Sequence, residues 1–536
     1  MSVPWWRTGD GIAALAAIGI AAAMTTIWSG TLPGLHADEA WSILRIAEIR
    51  DGHHRLDGMN GYTGVLHHYL ALPLVALLGP VPAALRLTGA FLNVLALVAL
   101  VLLLARLDAG RPMVRVWTPL LVAVSANFVI QSRFAIEVTM LQPLLFLAAG
   151  AALVRATEAP RRRGALLATA AGVMVGIAVY SHLLAAATAG GLAIGLVAGF
   201  GPRVACHRLA VPLVAGFLVG AAPRVASLIL AAAGPGDGAQ VAATGPAIAV
   251  DAALVGREVL GRLGDIAYVP VLIGRLLDGD LLFLRTTGQV LLPVVPFLSA
   301  ALAVFGARQL LVRPWSLSRL DRALLVAFLA SLVLTVLISP GLAPRYFVLH
   351  GLAAVYLLVR LVTAWVQAGP VRRIAAHAVL AGLAAIQAAY VGVDYLAAFR
   401  RSGGLDATFP IGFRLVETSS HFMRTDGLHA ALATAGLTDI RAGNFLAWPL
   451  AVHDLEARRL RIRFRGHGTW PPESLPEPAS PAAAALVFYA SEPAPGGGTA
   501  GEASHILIGG RRLDRAAGFD PRFAVFRWPA AEGRSP

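Results

Sequence analysis

Apolar blocks of about 17–20 residues recur along most of this chain, each the length that crosses a bilayer core as a helix, and no other feature narrows the fold so far. Of 536 residues only 14% are charged while 57% are hydrophobic, against roughly 25% and 45–50% in soluble domains. Mean hydropathy is +0.70. An ordinary soluble enzyme is excluded. The chain reads as an all-α polytopic membrane bundle, with eleven spans expected near 12–28, 85–105, 116–130, 138–154, 165–180, 183–200, 209–226, 289–307, 323–339, 346–364 and 374–396.

The net charge of +14 comes from arginine alone, because the sequence contains no lysine. Schiff-base chemistry, pyridoxal phosphate attachment and a P-loop lysine are thereby excluded, and Arg is the only permanent cation left to hold a phosphate. The excess does not point to nucleic acid, since most of it sits at span boundaries. Arg7, then Arg106, Arg111 and Arg115, then Arg155 and Arg161 to Arg163, then Arg203 and Arg208, then Arg308 to Arg322, then Arg372 and Arg373 lie in alternate connections. They share one side, and the positive-inside rule makes that side the cytoplasm. The N-terminus is then cytoplasmic, behind a first span read as an uncleaved anchor. The apolar stretch His67 to Leu78 cannot be a span without inverting everything after it, so it is expected as an amphipathic helix on the outer interface.

This divides the chain into a membrane part at 1–396, with exterior segments at 29–84 and 227–288, and a small exterior α+β domain at 397–536. In that tail, strand-like runs occur at Leu460–Phe464, Ala485–Tyr489 and Ala524–Trp528, and a helix at Leu428–Ala435 ends at Gly436. Pro-rich stretches near 471–481 and 493–501 read as loops. The single Cys206 allows no intramolecular disulfide. Glycines inside the spans read as helix-packing positions. No internal repeat is visible.

Ionisable groups at the membrane edge are costly and therefore candidates for function. Asp38 and Glu39 are adjacent acids soon after the first span, a pairing that suits a general base, and also suits a helix N-terminus with Asp38 as N-cap. Ser132, Arg133 and Glu137 lie in the short outer turn between the third and fourth spans, where Arg133 and Glu137 have the i, i+4 spacing of a simple pair. Arg345 and Tyr346 follow Pro340 to Pro344 at a later outer turn, as an interfacial anchor or as a phosphate clamp. His182 occupies another short outer connection. Asp278-Gly279-Asp280 reads as a turn, and His53, His54, His67 and His68 lack metalloprotease spacing, so that solvent or lipid headgroups are the expected surroundings of the last two.

Taken in order, these features resemble the GT-C superfamily of membrane glycosyltransferases, which includes protein O-mannosyltransferases and lipid A aminoarabinose transferases. The resemblance runs from the first span to about residue 364. It rests on Asp38-Glu39, the interfacial helix, Leu78-Gly79 and Arg86 opening the second span, Ser132-Arg133 with Glu137, and Arg345-Tyr346. It implies a sugar moved from a polyprenyl-phosphate donor to a lipid, glycan or protein acceptor at the periplasmic face of a bacterial inner membrane, by an inverting displacement. Asp38 would be the base, with Glu39 beside it. Arg86, Arg133, Glu137, His182, Arg345 and Tyr346 would bind substrate, together with Tyr62 and His67, while Gly61 to Leu66 stands where the family carries a proline-rich run. Such chemistry requires no soluble cofactor and leaves room for a divalent metal. A transporter or lipid flippase, a polysaccharide polymerase or ligase, and a non-catalytic assembly protein are the competing readings. The orientation has a direct check: an alkaline phosphatase fusion after about residue 400 should be active and one in the 155–163 loop inactive, and the reverse pattern would place Asp38 in the cytoplasm.

Overall fold

The structure is a computed structural model of the chain. It describes residues 8–233, 318–392 and 425–529, apart from short breaks within each stretch. The expected span at 289–307, the run 278–280 and residues 340–343 lie outside the described residues.

The membrane part is a helical bundle: α1 (Gly9–Thr26), α2 (Ala37–Arg50), α3 (Leu66–Leu78), α4 (Pro82–Leu107), α5 (Pro112–Val124), α6 (Ala126–Gln131), α7 (Glu137–Glu158), α8 (Arg161–Ser181), α9 (Ala185–Phe200), α10 (Ala210–Ala233), α11 (Arg319–Ile338), α12 (Val348–Val366) and α13 (Pro370–Ala389). Among the described residues eight helices are long and apolar enough to cross a membrane, namely α1, α4, α7, α8, α10, α11, α12 and α13, and α3, α5 and α9 are shorter apolar helices. Each expected span within the described residues coincides with a helix, with one change. The span expected at 116–130 is broken at Ser125, whose extended backbone ends α5 and whose hydroxyl accepts a hydrogen bond from the Phe128 amide at 3.2 Å to cap α6. The freed Ala126 amide donates to Gln387 Oε1 on α13 at 3.0 Å.

Lipid is as apolar as leucine, so burial alone does not drive spans together and close approach of backbones must. Gly172 and Gly176 on α8 face Gly216 and Gly220 on α10. A methyl group built at any of the four would overlap main-chain atoms of the facing helix. Gly191, Gly195 and Gly199 on α9 meet Ser331, Ala327 and Ala323 on α11 in the same way. At the Arg-rich end, buried Asp108 accepts hydrogen bonds from Arg111 at 3.1 Å, Arg360 at 3.0 Å and Tyr356 at 2.9 Å, and Arg360 also pairs with Asp321. That network ties the ends of α4, α11 and α12 together.

The tail adds α14 (Asp426–Thr434), β1 (Asp439–Ala442), α15 (Asn444–Asp454), β2 (Arg461–Phe464), β3 (Ala484–Tyr489), β4 (His505–Ile508), β5 (Arg511–Arg515) and β6 (Phe523–Arg527). The strands form one mixed sheet in the order β2-β1-β3-β6-β5-β4. β1 runs parallel to β2 and β3, with Ile440 opposite Ile462 and Ala485, and the remaining pairs are antiparallel. The three expected strands and the expected helix are present, the helix ending at Gly436 with φ +70°. β3 is buried on both faces, Val487 and Tyr489 toward the helices and Leu486 and Phe488 toward Ile506, Leu513 and Phe526. The strands β1, β4 and β5 and helix α15 are additional. Trp448 and Val452 of α15 share one apolar cluster with Ala40, Ile43 and Ile46 of α2, so the tail is seated on the helix that begins with the paired acids.

The glycine contacts make a clean prediction. Gly195→Leu or Gly176→Leu should lower the melting temperature of the detergent-purified protein, since overpacking costs about 1–3 kcal/mol. Gly382→Leu, on an open face with nothing within 4 Å, should leave it unchanged.

Candidate active site

The first outer segment turns into α2 at His36. Its ring Nδ1 accepts a hydrogen bond from the Asp38 amide at 3.1 Å while the Glu39 carboxylate accepts from the His36 amide at 3.2 Å. This is a capping box with histidine in the N-cap place, so Asp38 is not the cap. Only an unprotonated Nδ1 can accept. Burial, and then the nearby Arg345, push the His36 ring down from 6.5 to about 3.

Glu39 faces away from solvent and is not among the residues that line the cavity beside Asp38. Its carboxylate accepts from Arg86 Nε at 2.7 Å, Arg86 Nη2 at 2.6 Å and the Ala135 amide at 3.1 Å. Arg86 uses its remaining donors on the carbonyls of Ser29 and Gly34, each at 3.0 Å. Both residues are 1% exposed. The expected catalytic part for Glu39 and the expected substrate-binding part for Arg86 are therefore corrected: the two hold the first loop, α4 and the turn before α7 together. Arg133 is likewise corrected. It does not pair with Glu137; it is fully buried and donates to the carbonyls of Met24 at 2.9 Å and Ile27 at 2.6 Å, tying the end of α1 to that same turn.

The other candidates converge. Asp38, Tyr62, His67, Glu137, His182, Arg345 and Tyr346 line one partly open cavity. An isolated antiparallel bridge between Thr63 and His182 brings the first loop to the turn between α8 and α9, with Leu183 donating to the Tyr62 carbonyl and Gly64 to the Ser181 carbonyl, both at 2.9 Å. Gly64 is required here, because a side chain at this position would collide with Tyr180. Asp38 keeps 20% exposure and faces Arg345 at 3.5 Å. Arg345 lies over the Tyr346 ring, 5.2 Å from its centroid, and the His182 ring lies between Tyr346 at 5.5 Å and Tyr62 at 5.2 Å. Glu137 is nearly buried, one carboxylate oxygen 3.9 Å from His67 Nε2 and the other 4.0 Å from His182 Nε2. Burial pushes the His67 and His182 rings down to about 3, so both are neutral.

His67 and His68, expected to face solvent or headgroups, are instead buried at 2% and 0%. Trp41, Ser42, Met59 and Thr63 also line the cavity without having been singled out. For Trp41 and Ser42 the signal was available, since they follow Asp38 at i+3 and i+4 on one helix face; Met59 carried none. Among the described residues no group of three or more His, Cys, Asp or Glu side chains is arranged to hold a metal ion.

The whole architecture, bundle and tail together, is similar to a solved one. ArnT from Cupriavidus metallidurans bound to undecaprenyl phosphate matches with a TM-score of 0.52 at 12% identity, over 98% of this chain and 99% of that one. The same protein in the apo state matches with a TM-score of 0.54 at 13% identity, over 96% and 98%. The chain has the GT-C fold. No protein-family model and no curated protein matches the sequence.

Acidification tests the neutral histidines. Below about pH 6.5 the unfolded chain binds protons that His36, His67 and His182 in the folded chain do not take up until about pH 3, so stability falls with pH in that window. The melting temperature should drop between pH 7 and pH 5, by up to about 2 kcal/mol of stability per histidine. His36→Ser, a cap that does not titrate, should flatten the decline.

Proposed function

We propose that the chain is an integral-membrane glycosyltransferase that moves a sugar from a polyprenyl-phosphate donor to a cell-envelope acceptor. The observation that carries this reading is the placement of a partly exposed carboxylate, Asp38, 3.5 Å from the guanidinium of Arg345 in a cavity at one end of the bundle. A base and a phosphate-binding cation are thus set side by side on the wall of that cavity. The similar ArnT structure holds undecaprenyl phosphate, and the donor class assigned to this chain follows that precedent and the absence of lysine, which leaves Arg for the phosphate.

In the reaction, the acceptor oxygen forms a bond to the anomeric carbon as its proton passes to Asp38. The bond from that carbon to the phosphate oxygen breaks, and the departing polyprenyl phosphate takes the electron pair. Arg345 stabilises the charge that develops there, and the Tyr346 ring holds the guanidinium in place. Attack opposite the leaving group inverts the anomeric centre. Glu137, across the cavity, serves the acceptor. The polyprenyl tail lies in the bilayer, the bundle sits in a bacterial inner membrane with its N-terminus cytoplasmic, and the cavity and tail domain face the periplasm. The flippase reading is disfavoured by the far end of the bundle, where Asp108, Arg360, Tyr356 and Asp321 form a buried charged network that alternating access would have to break.

Asp38→Asn should lower turnover about 10²–10⁴-fold while the protein still inserts and purifies. Arg345→Ala should raise the donor KM through loss of a contact worth about 1.5–3 kcal/mol, and Glu137→Gln should act on the acceptor KM. Near wild-type turnover in Asp38→Asn would remove it as the base. Identical effects of the other two changes would abolish the division of roles.

A further inference from the structure

The Glu137 carboxylate has an unusual setting. Its two oxygens face two imidazole nitrogens at 3.9 and 4.0 Å, His67 Nε2 and His182 Nε2. Those gaps are too long for direct N–H···O bonds, which need about 2.7–3.2 Å, and each is spanned by one oxygen atom at about 2.8 Å from both sides.

The protons on those nitrogens can be assigned. His182 Nδ1 accepts a hydrogen bond from the Leu184 amide at 3.1 Å, so in the neutral ring the proton resides on Nε2. Ser42 Oγ donates to the Asp38 carbonyl at 2.9 Å, which leaves an acceptor lone pair 3.5 Å from His67 Nε2 and favours the Nε2–H tautomer of that ring as well. Two N–H donors, that of His182 fixed by the bond its Nδ1 accepts, therefore face a two-oxygen acceptor. A group that bridges either gap must donate to Glu137 and accept from a histidine in the same place.

We propose that His67, Glu137 and His182 form a subsite for neighbouring hydroxyl groups of a neutral sugar, and that this sugar is the acceptor. A hydroxyl donates one hydrogen bond and accepts others, as the gap demands. An ammonium group only donates and would meet two N–H donors. A phosphate or carboxylate only accepts and would meet Glu137, with Asp38 lining the same cavity. The attacking hydroxyl gives its proton to Asp38, while its neighbour is held between Glu137 and an imidazole and keeps its own proton. A site built on such paired contacts rejects analogues lacking the hydroxyl far more strongly than an apolar pocket does.

This inference rests on the glycosyl-transfer reading, and the test separates the two. The full chain in lipid nanodiscs is titrated with octyl glycosides of neutral hexoses and pentoses below their micelle concentration, with an octyl glycoside carrying an ammonium in place of one hydroxyl, with octyl phosphate, and separately with bare polyprenyl phosphate. A neutral glycoside should bind more tightly than the ammonium and phosphate probes. Its affinity should fall about ten- to a hundred-fold in Glu137→Gln and in His182→Phe, and return in His182→Gln, which restores a donor. Binding of bare polyprenyl phosphate should be unchanged in all three variants, which also shows that they are folded. Tighter binding of the ammonium or phosphate probe, or an unchanged affinity in Glu137→Gln and His182→Phe, would overturn the subsite. If no neutral glycoside binds while polyprenyl phosphate does, the subsite falls and the donor reading stands. If glycosides bind and polyprenyl phosphate does not, the reverse holds.

Discussion

The ion pair between Glu39 and Arg86 is the constraint on which the rest of the site depends. Four donors converge on the Glu39 carboxylate from three parts of the chain: the His36 amide, two nitrogens of Arg86 and the Ala135 amide. Charges taken this far from water persist only when hydrogen bonds satisfy them, and removing one partner of such a pair costs about 3–5 kcal/mol. Here the satisfaction is complete enough to serve as a joint. Asp38 is the residue before Glu39, and Glu137 lies two residues beyond Ala135. The pair, which does not line the cavity, thus sets the distance between the two carboxylates that do.

Around this joint the bundle is assembled by close backbone contact. The glycine rows of α8, α9 and α10 let helices approach until their main chains touch, and the short connections at His182 and at Arg133 to Ile136 lie at the cavity end. The Asp108 network closes the opposite end. The tail domain completes the arrangement from above. Its α15 places Trp448 and Val452 on α2, whose opposite face presents Asp38, Trp41 and Ser42 to the cavity. One short helix is therefore gripped by the sheet domain on one side and lines the cavity on the other.

Much of this was legible in advance. Asp38, Glu137, His182, Arg345 and Tyr346 stood out as polar groups at the ends of apolar helices, and the alternation of arginines placed them on one side. All five line the cavity. Glu39, Arg86 and Arg133 carried the same signature and proved to hold the scaffold. A buried arginine that binds substrate and one that binds carbonyls are the same letter at the same depth, and the choice depends on whether an orphaned carbonyl, such as that of Ile27 or Gly34, lies within reach. His67 misled for a related reason: on a helix expected at the interface a histidine defaults to solvent, and only the packing of α2 and α7 against α3 buries it.

The sequence by itself determined the helical bundle, the sidedness of its charges and the mixed fold of its tail, because hydrophobic length, arginine placement and strand alternation are local quantities. Tertiary structure alone decided which of the outer ionisable groups line one cavity, where the span at Ser125 breaks, and which carboxylate of the Asp38-Glu39 pair faces that cavity. Those outcomes turn on distances between residues far apart in the chain. A carboxylate is committed to the scaffold or left facing a cavity according to whether neighbours brought in by folding have already used its oxygens.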